Sequence, residues 1–235
     1  MWPKPPKAGF LCSMKKTNKT TAELKIALDG KAGFLLVRFN RNMKQDPDDL
    51  DILVRSKDFP IVAGSLKKVG YKASSHDHAL GGRKKGYQLN FTKQDRIKID
   101  LHKDFTWRSK KYLDINFVWN AFPNREKEIN AFLIMINWIF EKSYVTREDY
   151  DFVWSDLDKV FRNKLYQKQA RKYKWEKSFA LFKDYYKSTS PDSFPKFLPI
   201  KIVAVSFYEK FHPIAFFYYL FFRARYLVNK TLPYE

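Results

Sequence analysis

Asp49, Asp51 and Asp100 are the residues of this sequence best suited to chemistry. Asp49 and Asp51 stand two apart at the head of the run Asp49-Leu-Asp-Ile-Leu-Val54. On a strand both side chains leave one face, while Leu50 leaves the other. Two carboxylates held side by side repel, and neither gains from losing water. A divalent cation reverses that cost, because Mg²⁺ (or Mn²⁺) takes hard oxygen ligands and shares them with substrate phosphates. Asp100 sits inside a second alternating run, Ile97-Lys-Ile-Asp-Leu101, where packing gives no reason for an acid. Three carboxylates converging from neighbouring strands would hold one or two metal ions for in-line phosphoryl chemistry. Asp49, Asp51 and Asp100 are therefore the candidate catalytic and metal-binding residues, and Asp100 is also a candidate to help deprotonate an acceptor hydroxyl.

Other groups stand near these in the sequence. Arg38, Arg41 and Lys44 precede the acidic strand. His102 shares a strand face with Asp100, as a partner of the carboxylates, as a group orienting an acceptor, or as a strand-end histidine without a role. His76 and His78 have the look of a metal pair, but their serine-rich surroundings favour a solvated turn. Arg83, Lys84 and Lys85 lie between glycines, on a loop that either folds over an anion or serves solubility.

The elements that must position these residues follow from pattern. A short helix over 21–28 ends at Asp29-Gly30, where glycine suits a left-handed cap. The apolar run 33–39 reads as a buried strand, 40–48 as a loop, and 50–55 as a second strand. Ser56 is placed to cap a helix over 57–69, with Phe59, Val62, Leu66 and Val69 at helical spacing and Pro60 in its first turn. Two more alternating runs, 87–91 and 96–101, are joined by a hairpin connection over 92–95. From about 124 the pattern is helical: 129–142 is strongly apolar, Thr146 caps a segment over 150–177, and Pro191, Pro195 and Pro199 precede a last aromatic segment over 200–229. The expected fold is α/β (α+β): a small mixed sheet flanked by helices, with a helical C-terminal region. The expected domains are a Pro- and Lys-rich lead-in over 1–20, a catalytic core over 21–120, and a basic, aromatic-rich region over 121–235.

Lys and Arg outnumber Asp and Glu by 45 to 25, a net charge of +20 over 235 residues, which favours phosphate-rich or otherwise anionic partners. The plain alternative is a solvated basic face. Residues 162–177 carry a basic run interleaved with Tyr166, Tyr173 and Trp175, suited to nucleic acid or anionic lipid, or else to a helix with its aromatics packed inward. The aromatic run 211–222, followed by Arg223 and Arg225, is too short to span a bilayer, and suits either peripheral contact with an anionic membrane or packing on the core. A single cysteine, Cys12, excludes an internal disulfide and a cysteine metal cluster. With no secretory signal pattern, the expected location is cytoplasmic or peripheral at the membrane.

The segment 34–107 resembles the polymerase-beta-like nucleotidyltransferase superfamily, of the uncharacterised prokaryotic type. Asp49-Leu-Asp51-Ile-Leu-Val matches the family's Asp-x-Asp strand, Ile99-Asp100-Leu101-His102 is similar to its third-carboxylate strand, and the helix over 57–69 with Gly70-Tyr71 fits between them. The resemblance implies a nucleoside triphosphate donor, Mg²⁺ or Mn²⁺, and transfer of the nucleotidyl group to a hydroxyl or phosphate acceptor. The aromatic, basic second half makes a glycan or lipid-linked precursor a candidate acceptor, beside nucleic acid. Where the family has a Gly-Gly or Gly-Ser turn, this sequence reads Val37-Arg-Phe-Asn40. Small residues there let the backbone approach the triphosphate; here charge on Arg38, Arg41 or Lys44 would have to serve. Asp48-Asp49-Leu-Asp51 is also compatible with phosphocholine transferases of the LicD type, and a non-catalytic basic nucleic-acid-binding protein is the remaining alternative.

Overall fold

Short apolar runs separated by polar turns give the first part of the chain a mixed sheet. In the computed structural model, residues 14–38, 47, 49–74, 88–107, 110–142, 144–189, 197–210, 217, 220, 221 and 224 are described. They divide into two compact units, one up to Asp104 and one from Phe105 onward. In the first unit, β1 (Phe34–Val37), β2 (Asp49–Val54), β3 (Lys72–Ser74), β4 (Gln88–Thr92) and β5 (Lys98–His102) lie in the order β1-β2-β5-β4-β3. β2 and β5 are parallel, and the other neighbours are antiparallel. This bears out the α/β expectation. The helices α1 (Met14–Leu28) and α2 (Phe59–Lys68) share one core with Ile52, Val54, Phe91, Ile99 and Leu101. Each such fully buried aliphatic side chain contributes about 1.5–3 kcal/mol. Because side chains alternate along a strand, anchoring Ile52, Val54, Ile99 and Leu101 in this core turns Asp49, Asp51, Lys98, Asp100 and His102 to the opposite face.

Several local features differ from the sequence-based expectations. α1 begins at Met14 rather than Thr21. Its buried side includes Thr17 and Thr20, which polarity scales count as surface. The Thr20 hydroxyl donates to the Lys16 carbonyl (2.8 Å) and accepts from the Ile97 amide (3.1 Å), so its burial leaves no unmet hydrogen bond. Ser56 does not cap α2: the N-cap is Asp58, without a side-chain cap bond, and the Ser56 hydroxyl lies 3.5 Å from the Lys103 carbonyl. Pro60 sits in the first turn, as expected. β3, only three residues long at the sheet edge, carries no alternation by which to find it.

Glu23 ties α1 to the turn between β4 and β5. Its carboxylate accepts from Lys93 (2.8 Å), from Arg96 through two nitrogens (3.0 and 3.1 Å), and from the Tyr71 hydroxyl (3.3 Å). Burial works against its ionisation, but Lys93 and Arg96 outweigh burial and hold its pKa below the ordinary 4.5. Burial, with the Glu23 charge adding to it, pushes the Tyr71 phenol up to about 12.

The second unit opens with the hairpin β6 (Phe105–Trp107) and β7 (Lys110–Leu113), which the sequence pattern did not reveal. α3 (Ile115–Asn137) is capped by Asp114, whose side chain accepts from the Asn116 amide, and it kinks at Arg125 behind Pro123. The segment expected to be continuous over 150–177 is instead α4 (Arg147–Val153), a 3₁₀ turn at Trp154–Asp156, α5 (Leu157–Arg162), α6 (Lys164–Lys172) and the start of α7 (Glu176–Ser188). Asn163 makes one break, taking an extended conformation and capping α6; Lys174, at φ 57°, makes another. The Thr146 cap is present, accepting from Asp149 (3.2 Å). Tyr166 and Trp175 are fully buried, with Trp175 stacked on Phe132 and its indole N–H donating to the Tyr112 carbonyl (2.9 Å). These two aromatics of the basic segment are core, while Lys164, Lys168, Arg171 and Lys172 stay exposed. α8 (Ile200–Lys210) follows. Among the described residues no helix is long and apolar enough to cross a membrane. Residues 1–13, including Cys12, and most of the aromatic run 211–222 lie outside the described residues, as do His76, His78 and the basic loop 83–85.

The Glu23 clamp generates a prediction. Its pKa is depressed on folding, so its stabilisation is present above about pH 4.5 and is lost as pH falls through the folded value. Glu23→Gln should cost about 1–2 kcal/mol in urea unfolding at neutral pH, and the difference from wild type should shrink below about pH 4. An equal deficit at both pH values would contradict this assignment.

Candidate metal centre

The parallel pairing of β2 with β5 sets the site. Asp49 is in register with Lys98, Asp51 with Asp100, and Leu53 with His102. On the other side of β5, Asn90 of β4 is in register with Asp100 and Gln88 with His102. Partners in register point to the same face, so this side of the sheet carries a row of polar groups across β2, β5 and β4.

Asp51 and Asp100 form its inner part. Their side chains are 13% and 12% exposed, and that of His102 is 12% exposed. Ligand atoms of Asp51, Asp100 and His102 all lie within 4.8 Å of one another, the grouping expected of side chains that can hold one metal ion. Asp51 Oδ1 accepts from the Arg38 guanidinium at 2.5 Å and pairs with His102 Nε2 at 2.8 Å. Arg38 reaches it from the end of β1 in a left-handed conformation (φ 55°), which turns the chain sharply after Val37. Burial opposes charge on Asp51, but the cation of Arg38 and the bond with His102 override it, holding the carboxyl well below the usual range.

Asp100 is the opposite case. Burial, followed by the negative charges of Asp51 and Asp49, raises its pKa above the ordinary 3.8, and Lys98 and His102 only partly offset this. Its Oδ2 accepts from Gln88 Nε2 (3.0 Å). Among the described residues its buried Oδ1 makes no regular hydrogen bond, and it is met by the Lys98 ammonium at 3.3 Å as an ion pair. The Lys98 ion pair meets the demand of this buried oxygen only in part, and a bound divalent cation would meet it more fully. Two carboxylates and one imidazole fit a divalent ion such as Mg²⁺ or Mn²⁺, with the imidazole nitrogen favouring the latter. His102 Nε2 serves as a ligand only when it carries no proton; protonated, it donates to Asp51 and fixes that carboxylate.

Asp49 stands apart. It is the most exposed of the three carboxylates at 37% and bonds Lys98 Nζ at 3.1 Å, outside the group formed by Asp51, Asp100 and His102. The carboxylates Asp51 and Asp100 are thus brought together, Asp49 is drawn to Lys98, and Arg38 rests on Asp51. Arg41 and Lys44 lie outside the described residues. Lys98 and Gln88 were missed in the sequence. The signal was there, since Lys98, Asp100 and His102 recur every second residue on one strand, as do Gln88 and Asn90 on the next.

Known proteins resemble this chain only distantly. No family model and no curated protein matches it. Among solved structures, terminal uridylyl transferase 4 from Trypanosoma brucei with bound UTP is similar at a TM-score of 0.30 and 8% identity, over 83% of this chain and 65% of that one. With bound CTP the corresponding values are 0.29 and 8%, over 88% and 60%. The chain spans under two thirds of that enzyme's length, and a likeness of this size assigns neither family nor activity.

The raised pKa of Asp100 makes its charge a destabilising feature of the folded protein without metal. The unfolded chain gives up this proton near pH 3.8 and the folded chain at higher pH, so stability falls as pH rises between the two values. Asp100→Asn should therefore melt about 2–4 °C higher than wild type at pH 7 in the presence of a chelator. The gain should fade toward pH 4, and the variant should lose stabilisation by Mn²⁺. A variant melting below wild type at pH 7 would overturn this reading of the site.

Proposed function

We propose that this protein is a metal-dependent nucleotidyltransferase that moves a nucleoside monophosphate group from a nucleoside triphosphate to a hydroxyl or phosphate acceptor. The observation that carries the reading is the in-register pair of Asp51 and Asp100 on adjacent parallel strands, with His102 close enough to share one ion with them. The Asp-x-Asp strand and third-carboxylate strand of the sequence support it. A divalent ion held there supplies charge to neutralise the triphosphate and the developing negative charge of the transfer.

The chain's own residues do the rest. Arg38 and His102 keep Asp51 ionised and fix its orientation before substrate arrives. Arg38, planar and permanently charged, is positioned to exchange its carboxylate partner for a donor phosphate. Asp100, with Gln88 fixing its other oxygen, is the group proposed to accept a proton from an acceptor hydroxyl. Positioning and fixed charge then account for most of the rate. For the acceptor, the exposed basic charge of Lys164, Lys168, Arg171 and Lys172 supports a glycan or lipid-linked precursor, brought up at an anionic membrane surface.

Calorimetric titration of the four nucleoside triphosphates in Mn²⁺ tests the donor class. Wild type should bind at least one of them with metal dependence, and Asp51→Asn should weaken that binding tenfold or more, a loss of about 1.4 kcal/mol or more. Equal binding by the two proteins, or binding indifferent to metal, would exclude the reading.

A further inference from the structure

The transfer reading leaves open how many ions the centre takes, and Lys98 bears on this. It lies on β5 directly opposite Asp49, two residues before Asp100 on the same face. Its ammonium stands 3.1 Å from Asp49 Oδ2 and 3.3 Å from Asp100 Oδ1, bridging the two carboxylates on the outer side of the site. The inner side is closed by a different set, Asp51, Asp100 and His102. Asp100 thus faces two positions: an inner one lined by ligands within reach of one ion, and an outer one already held by a lysine.

We infer that the Lys98 ammonium is a built-in cation that takes the place of a second divalent ion, so that the centre binds a single metal, between Asp51, Asp100 and His102. The inference rests on the metal-dependent reading above. Charge balance supports it. Three carboxylates carry three negative charges, and Arg38 and Lys98 return two. One divalent ion then leaves a single positive charge facing the donor phosphates, whereas two would leave three. Exposure supports it as well. Lys98 and Asp49, at 31% and 37%, form the wetter rim, and the three inner ligands are the drier group. A lysine stem, anchored on the sheet and reaching up to the rim, delivers charge there without metal ligands. In this arrangement Asp49 positions Lys98 and does not ligate the ion.

Mn²⁺ titration of the full chain, followed by calorimetry and by electron paramagnetic resonance, tests this without any assay of turnover. Wild type should take one Mn²⁺ at the centre, with no spin coupling between neighbouring ions. Lys98→Met should open the outer position and take a second, giving a spin-coupled pair, while Lys98→Arg should remain at one. Asp49→Asn should keep one-ion binding within about threefold of wild type, whereas Asp51→Asn should lose tenfold or more. This second pair keeps the test decisive if Lys98→Met does not fold. A coupled pair in wild type, one ion in folded Lys98→Met, or loss of binding in Asp49→Asn would overturn the role of Lys98 while leaving a metal centre in place. No Mn²⁺ bound by wild type would overturn both.

Discussion

Two carboxylates in register on parallel strands, within 4.8 Å of each other and mostly shielded from water, are the constraint around which the first unit is organised. At an effective dielectric of about 20 their repulsion is about 3 kcal/mol, a large fraction of the 5–15 kcal/mol that usually separates folded from unfolded states. Packing of the other sheet face does not relieve it; that packing creates it, because Ile52, Val54, Ile99 and Leu101 must be buried and the alternation then leaves the acids no other direction. The relief comes from neighbours. Arg38 and His102 converge on Asp51, Lys98 spans Asp49 and Asp100, and Gln88 takes the remaining oxygen of Asp100.

These neighbours divide the labour unevenly, and the unevenness gives the site its chemical character. Asp51 is held strongly ionised, whereas Asp100 is pushed toward the protonated form. Without a metal ion the two acids therefore differ, one a permanent anion and the other holding its proton more tightly. The Lys98 contact with Asp100 is a long ion pair, and among the described residues no hydrogen bond reaches that buried oxygen, so a divalent cation would satisfy it more fully. The turn between β4 and β5 shows the contrasting case. There Glu23 meets two cations and a phenol, its charge is satisfied, and its role is structural.

Much of this was legible in the sequence. The strand carrying Asp49 and Asp51, the strand carrying Asp100, and the helix between them declare themselves because apolar periodicity and polar turns agree locally. Which carboxylates meet was not legible, since register is a long-range property: only the pairing of β2 with β5 sets Asp51 against Asp100 and Asp49 against Lys98. The early start of α1 was hidden because a buried threonine such as Thr20, satisfied by backbone partners, looks like surface in a hydropathy pattern. The edge strand β3 and the hairpin of β6 and β7 were hidden because three or four residues are too few to establish a period. In the second unit, Asn163 and Lys174 broke a basic stretch that propensity alone would run together as one helix.

The most direct test of the centre is a crystal structure grown with Mn²⁺ and recorded near the manganese absorption edge. An anomalous peak about 2.0–2.2 Å from an oxygen of Asp51 and an oxygen of Asp100 is the expected result, with the Arg38 contact to Asp51 lengthened or exchanged. Density without such a peak at millimolar Mn²⁺, with Arg38 and His102 still closed on Asp51, would show that the acidic pair is satisfied by the protein's own cations and is not a metal centre.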